Sequence, residues 1–202
     1  MSFTLLELGD PRLRRVATPV SANQIGSAGF RERVSWMRQH LGGKGLGIAA
    51  PQIGWDARVL VVRYGEEQVR DLPPSWREEL GIEPFGPHVL VNPTIEVTDE
   101  ATTVFYEGCM SVPERVGLVS RPLRIRVRAL DEHGEALELE AAGYLARLVL
   151  HEADHLDGVL YVDRAEPGSL AHWDTYAHAK GSGWSPSEVV AYVGARAGLS
   201  PR

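Results

Sequence analysis

The spacing of hydrophobic positions changes several times along the chain, and each change predicts an element. Phe30, Val34, Met37 and Leu41 recur at the three- and four-residue intervals of one helical face, predicting a first helix near 27–41 with Gly42 and Gly43 as its stop. Arg58 to Tyr64 carries the β-branched run Val59, Val61 and Val62 and reads as a strand, and 89–97 and 102–106 are further strand candidates. From Leu123 to Leu130, Ile125 and Val127 alternate with Arg124, Arg126 and Arg128, the period of two of a half-buried strand. Asp131-Glu132-His133-Gly134 then turns the chain into Ala136–Glu140, completing a hairpin. Residues 65–87 are polar, with prolines at 73 and 74, and are expected to form a surface loop carrying a short helix. A helix is predicted from about Ala142 to Leu156, with Gly158 past its end. Ser185-Pro186-Ser187-Glu188 is a capping box that opens a C-terminal helix at about 185–197. The resulting class is α+β: antiparallel strands packed around the central 142–156 helix, with further helices at the N- and C-terminal ends.

That central helix carries the chemistry. Tyr144, Leu148, His151 and His155 share one side of it, so two imidazoles at i and i+4 continue an apolar stripe and can bind one ion. Glu152 lies between them, where its carboxylate can reach a water on that ion. The only cysteine, Cys109, sits upstream in Glu107-Gly108-Cys109-Met110-Ser111. Two imidazoles and one thiolate make three ligands for a tetrahedral ion and leave the fourth position to water, the pattern of a catalytic site. Other readings of the same residues exist. A lone cysteine is often an inert buried apolar residue, and a Cys–His pair can be a nucleophile with its base. Outside this motif Glu152 would be a solvated helix carboxylate. An HExxH zinc endopeptidase would take its third ligand downstream, where Asp157, Asp163 and Glu166 stand at spacings that fit poorly.

A third segment, Gly45-Leu46-Gly47-Ile48-Ala49-Ala50-Pro51-Gln52, matches GxGxAAxQ. With EGCxS at 107–111 and HExxH at 151–155, in this order, the chain resembles the peptide deformylases. The likeness runs from the Leu-Gly-Asp-Pro-Arg-Leu-Arg segment at Leu8 to Tyr161-Val162-Asp163. It implies a metal-dependent hydrolase that removes the N-formyl group from the formyl-methionine of newly synthesised polypeptides and releases formate. It also implies Cys109, His151 and His155 as ligands and Glu152 as general base. The Gln52 amide and the Met110 backbone N–H would be donors to the oxyanion. Fe²⁺ would be the native ion, with Zn²⁺, Ni²⁺ or Co²⁺ possible in purified protein.

Small residues at 45, 47, 49 and 50 let another backbone approach closely. In this family the segment binds the peptide as an added strand, so Leu46, Gly47 and Gly108 are the expected main-chain partners. Tyr144 and Leu148, with Leu46, are candidates for the wall of a methionine pocket; the plainer reading makes the first two core residues. Glu107 lies two residues before Cys109, on the same side of a strand, and a buried carboxylate there needs a cationic partner. The resemblance implies a basic residue at the distance of Arg121, which is assigned that part, and Arg115 is the alternative; the other possibility is that Glu107 faces solvent. Two departures from the family pattern stand out. Leu150 occupies a position where Gln is common, which leaves a non-catalytic binding module as a rival reading. Met110 replaces the commoner Leu, a volume-conserving change.

Composition adds boundaries. At 202 residues the chain is expected to be one catalytic domain, 1–202. A net charge of −6 gives no basic footprint, so direct sequence-specific nucleic-acid binding is not expected. One cysteine cannot form an internal disulfide, which agrees with a reducing compartment. Met1-Ser2-Phe3-Thr4 lacks a basic n-region, Asp10-Pro11 interrupts the N-terminal segment early, and no apolar run is long enough to span a membrane. The expectation is a cytoplasmic protein without membrane association, meeting the ribosome transiently through nascent-chain substrates. His40, His88, His133, His172 and His178 lie outside every motif and are given no role.

Overall fold

The computed structural model describes residues 3–41 and 46–196. Gly42, Gly43, Gly45 and Ala197 lie outside those ranges. Along the chain the elements are α1 (Ala28–His40), β1 (Gly47–Ala49), β2 (Val59–Tyr64), α2 (Glu66–Arg70), α3 (Pro74–Leu80), β3 (Phe85–Cys109) and β4 (Val112–Leu130). Then come β5 (Ala136–Ala142), α4 (Gly143–Leu156), α5 (Tyr161–Arg164), β6 (Ala171–His172), α6 (Trp173–Gly181) and α7 (Pro186–Arg196). Short 3-10 turns at Pro11–Arg14 and Ala50–Ile53 join them.

The strands form one antiparallel sheet in the order β1-β2-β3-β4-β5, with β6 also paired to β4. The alternation predicted in β4 is realised. Ile125 and Val127 are fully buried, while Arg126 pairs with Glu140 at 2.6 Å and Arg128 with Glu138 at 3.2 Å across the outer face. The α4 helix packs Ala146, Val149, Ala153 and Leu156 against Leu60, Val62, Leu90, Ile125 and Val127 of the sheet. α1 buries Phe30, Val34 and Met37 against Val59, Val61 and Val91. A third apolar cluster joins α3, α6 and α7 to Phe105, Tyr106 and Leu118. Each such burial is worth roughly 1.5–3 kcal/mol per large apolar side chain. Packing thereby fixes where α4 lies, and Gly158 closes its end. Gly158 takes φ +72, and a Cβ there would stand 2.6 Å from the Arg14 carbonyl oxygen.

Several expectations need correction. The strands expected at 89–97 and 102–106 are parts of one strand, Phe85–Cys109, which stays paired with β4 through register shifts near Val97 and Asp99. Bulges let a strand bend without ending, so a polar stretch at Thr98–Ala101 does not break it. Residues 65–87 are not a surface loop with one short helix. They contain α2, α3 and the first residues of β3, and Val69, Trp76, Leu80 and Ile82 are buried in the apolar cluster that also holds Val189 and Val193 of α7. The Trp76 indole N–H donates to the Trp184 carbonyl at 2.7 Å, a contact that only the folded chain creates. β1 and α6 are further elements that the hydrophobic pattern did not mark.

Helix boundaries agree more closely. Ser27 caps α1 through its hydroxyl, and the Ser185–Glu188 box is reciprocal, with bonds of 2.8 and 3.3 Å.

Candidate metal centre and substrate cleft

β3 and β4 meet at a tight turn, where Cys109 pairs with Val112, so Cys109 stands at the tip of a long hairpin. α4 crosses that tip and brings His151 and His155 to it. One donor atom from each of Cys109, His151 and His155 lies within 4.8 Å of the others. Cys109 Sγ is 3.3 Å from His155 Nε2, and the Ser111 N–H donates to the same sulfur at 3.4 Å. His155 is buried, which pushes its imidazole well below its ordinary pKa and keeps it neutral, the form a ligand requires. His155 Nδ1 and Glu152 Oε2 are buried polar atoms without a hydrogen-bond partner. A soft thiolate and two imidazoles around one point, with orphaned polar atoms beside them, fit a divalent transition metal.

Glu152 is 3% exposed, and burial pushes its carboxyl up to about 7. A carboxylate in that range can both take and return a proton near neutral pH. Gln52 is 1% exposed. Its side-chain oxygen accepts from the Ala49 N–H at 2.7 Å, which fixes the amide so that its NH₂ faces Ser111 Oγ (3.2 Å) and Cys109 Sγ (3.5 Å). The Pro51-containing 3-10 turn supplies that local geometry.

Behind the ligands lies a buried ionic network. Glu107 Oε2 is 2.9 Å from His151 Nδ1, which leaves His151 Nε2 toward the cluster. Arg121 grips the same carboxylate in a fork, Nε and Nη2 each at 2.9 Å, and Arg147 Nη1 adds a bond at 2.8 Å. Arg121 Nη1 also reaches Asp154 at 2.7 Å, and Arg164 closes on Asp154 from the other side. Burial alone would raise the Glu107 carboxyl, but the hydrogen bonds from Arg121 and His151 outweigh it and hold it well below the usual range. Glu107 is therefore buried and paired with Arg121. Arg115, the alternative partner, instead lines the cleft, and its guanidinium donates to the Glu114 carbonyl.

A cavity of about 720 Å³ opens in front of the cluster. Leu46, Gly47, Gly108, Met110, Tyr144 and Leu148 all line it together with Gln52, Cys109, His151 and Glu152. Leu46 and Tyr144 also pack against the apolar cluster that holds residues of α3 and α6, so Tyr144 both borders the cavity and belongs to the core. Leu150 points elsewhere. It packs against the core between α4 and the sheet. The downstream carboxylates of the endopeptidase reading are engaged in other ways: Asp157 pairs with Arg58 at 2.7 Å and Asp163 with Arg14.

Sequence reasoning overlooked Arg147, Asp154 and Arg164. Arg147 precedes His151 by four residues on the same helical face, and a charge on an otherwise apolar stripe was the available signal. It also passed over Trp173, Tyr176 and Lys180, which line the cleft from α6.

The polypeptide deformylase family model matches residues 3–170. This chain belongs to that family. Peptide deformylase 3 of Streptomyces avermitilis is 39% identical over 191 residues, covering 94% of this chain and 83% of that one. Peptide deformylase 1 of Streptomyces coelicolor is 43% identical over 168 residues, 83% and 75% of the two chains. Among solved structures, the class I type b enzyme of Acinetobacter baumannii with Met-Ala-Ser bound superposes with a TM-score of 0.71 at 32% identity. That match covers 81% of this chain and 98% of that one. The enzyme is accordingly a metal-dependent hydrolase that removes the N-formyl group from the formyl-methionine of nascent polypeptides and releases formate. Among the described residues no helix is long and apolar enough to cross a membrane.

Proposed function

We propose that Cys109, His151 and His155 hold the catalytic ion, that Glu152 moves the proton, and that Gln52 and the Met110 backbone N–H receive the developing negative charge. The single observation that carries this reading is the convergence of one sulfur and two imidazole nitrogens within 4.8 Å beside the buried, unpartnered Glu152 Oε2. When bound, a divalent ion supplies Lewis acidity, polarising a carbonyl oxygen and making water more acidic. Glu152 takes a proton from water as its oxygen attacks the formyl carbon. The Gln52 NH₂, held by the Ala49 N–H, and the Met110 N–H then donate to the oxygen that gains charge. Glu152 returns the proton to the amine nitrogen as the C–N bond breaks, so formate and a free N-terminal amine leave together.

Leu46, Gly47 and Gly108 bind the substrate main chain, and Tyr144 and Leu148 enclose the methionine side chain. Glu107, with Arg121 and Arg147, orients His151. Fe²⁺ is the ion we assign as native; Zn²⁺, Ni²⁺ and Co²⁺ suit the same donors. The chain works as one catalytic domain in the cytoplasm, meeting its substrates as they leave the ribosome, with no sequence-specific contact to nucleic acid. The test is formate release from formyl-Met-Ala-Ser under anaerobic conditions, with metal content measured on the same sample and on Cys109→Ala. Formate release at the wild-type rate by metal-loaded Cys109→Ala would reject the ligand set.

A further inference from the structure

The match to the family model stops at residue 170, but the cleft wall continues past it. Ala171 and His172 pair with Val116 and Arg115 of β4, which hangs the start of α6 from the strand that leaves the Cys109 turn. Trp173, Tyr176 and Lys180 then fall at i, i+3 and i+7, one face of α6, and all three border the cavity that holds Cys109 and Glu152. Tyr176 is buried, with its ring 5.5 Å from that of Trp173. The indole of Trp173 itself is 48% exposed.

A single exposed tryptophan is ordinary on a protein surface. Strand geometry gives this one a particular neighbour. Side chains on a strand alternate between faces, and Glu107 and Cys109 both point to α4, one to His151 and the other to His155. The ladder is irregular between Gly108 and Cys109, and the direction of residue 108 is given by its surroundings: a Cβ built on Gly108 would meet Trp173 Cζ3 at 3.3 Å, so it faces α6. A peptide lying beside this strand alternates in the same manner. If its first side chain enters on the α4 side, between Tyr144 and Leu148, its second emerges on the side of Trp173. A cavity of about 720 Å³ is also of the size that accommodates a ligand larger than one side chain.

We infer that Trp173 is a specificity-determining residue, packing its exposed indole against the side chain that follows formyl-methionine and favouring a large apolar or aromatic second residue. This inference rests on the substrate orientation given under Proposed function. An aromatic pair of this kind corresponds to roughly 3- to 10-fold in kcat/KM. Because the ring lies away from the reacting carbon, the gain falls on KM. The test compares formate release from formyl-Met-Phe-Ser and formyl-Met-Ala-Ser by the wild-type enzyme, Trp173→Ala and Trp173→Phe. The expected result is a preference for the Phe peptide in the wild type, lost in Trp173→Ala and largely recovered in Trp173→Phe. The same ratio in all three proteins would overturn it. Should Trp173→Ala fail to fold, inhibition of the wild type by the products Met-Phe-Ser and Met-Ala-Ser gives the same reading, and equal inhibition constants would overturn it. No formate from either peptide with the wild type rejects the active-site reading, and this inference with it.

Discussion

Gly47→Ala isolates the way the β1 strand and α4 meet. A Cβ at residue 47 would lie 2.7 Å from both Cγ and Cδ of Glu152, with Oε1 closer still. Carbon atoms in contact sit about 3.5–4.0 Å apart, so something has to move by about 1 Å. The strand cannot easily yield, because Gly47 is in register with Val62 and the Arg63 N–H donates to the Leu46 carbonyl at 2.8 Å. Glu152 is buried on α4, so its carboxylate must shift within the site. A displacement of about 1 Å in a reacting group costs roughly 10²-fold, which converts to about 2.7 kcal/mol of barrier. The assay is kcat and KM for formate release from formyl-Met-Ala-Ser, with metal content determined in parallel. A double-mutant cycle with Glu152→Gln separates the causes. If Gly47 acts through the base, Gly47→Ala lowers kcat in the wild type but adds little once Glu152 is Gln. If it merely blocks the peptide backbone, KM rises equally in both backgrounds. Wild-type kcat in Gly47→Ala with its metal retained would refute the argument.

The other perturbations test separate parts of the site. Glu152→Gln is expected to keep its metal and lose roughly 10²–10⁴ in rate, and full turnover by the metal-loaded variant would reject the base role. Arg121→Ala removes the fork on Glu107 and one of the partners of Asp154, so metal retention against a chelator should weaken about 10–100-fold. Retention equal to wild type would show that Arg147 alone suffices to hold Glu107. Air should inactivate the Fe²⁺ form faster than a Ni²⁺-substituted one, through oxidation of the ion and of the Cys109 thiolate, and equal lifetimes would count against iron as the native ion.

What the sequence determined by itself was local. The i, i+4 spacing of His151 and His155 needs only that the segment be helical, and its apolar stripe ensures that. The Ser185–Glu188 cap and the alternation of Ile125 and Val127 with their arginine neighbours are equally local, so they read correctly from spacing alone. That Glu107 would need a cationic partner could be anticipated because a carboxylate two residues from Cys109 on a strand is carried into the interior with it, whereas the choice of Arg121 over Arg115 rested on the family resemblance. Arg147 and Asp154 were different. They belong to one helix, but their partners lie on other elements, and nothing along the helix announces which carboxylate or guanidinium will face them.

Tertiary structure alone decided where residues 65–87 go, since Trp76 and Leu80 become core only when α7 covers them. It alone joined two expected strands into the single β3, because a long partner strand keeps the backbone hydrogen-bonded across polar residues. The cleft obeyed the same rule: Trp173 is far in sequence from Gly108, and the short β6 pairing with β4 brings them into contact. Helical spacing and strand alternation are encoded over a few residues, whereas the neighbours of a buried charge or a cleft wall depend on every element that must pack before them.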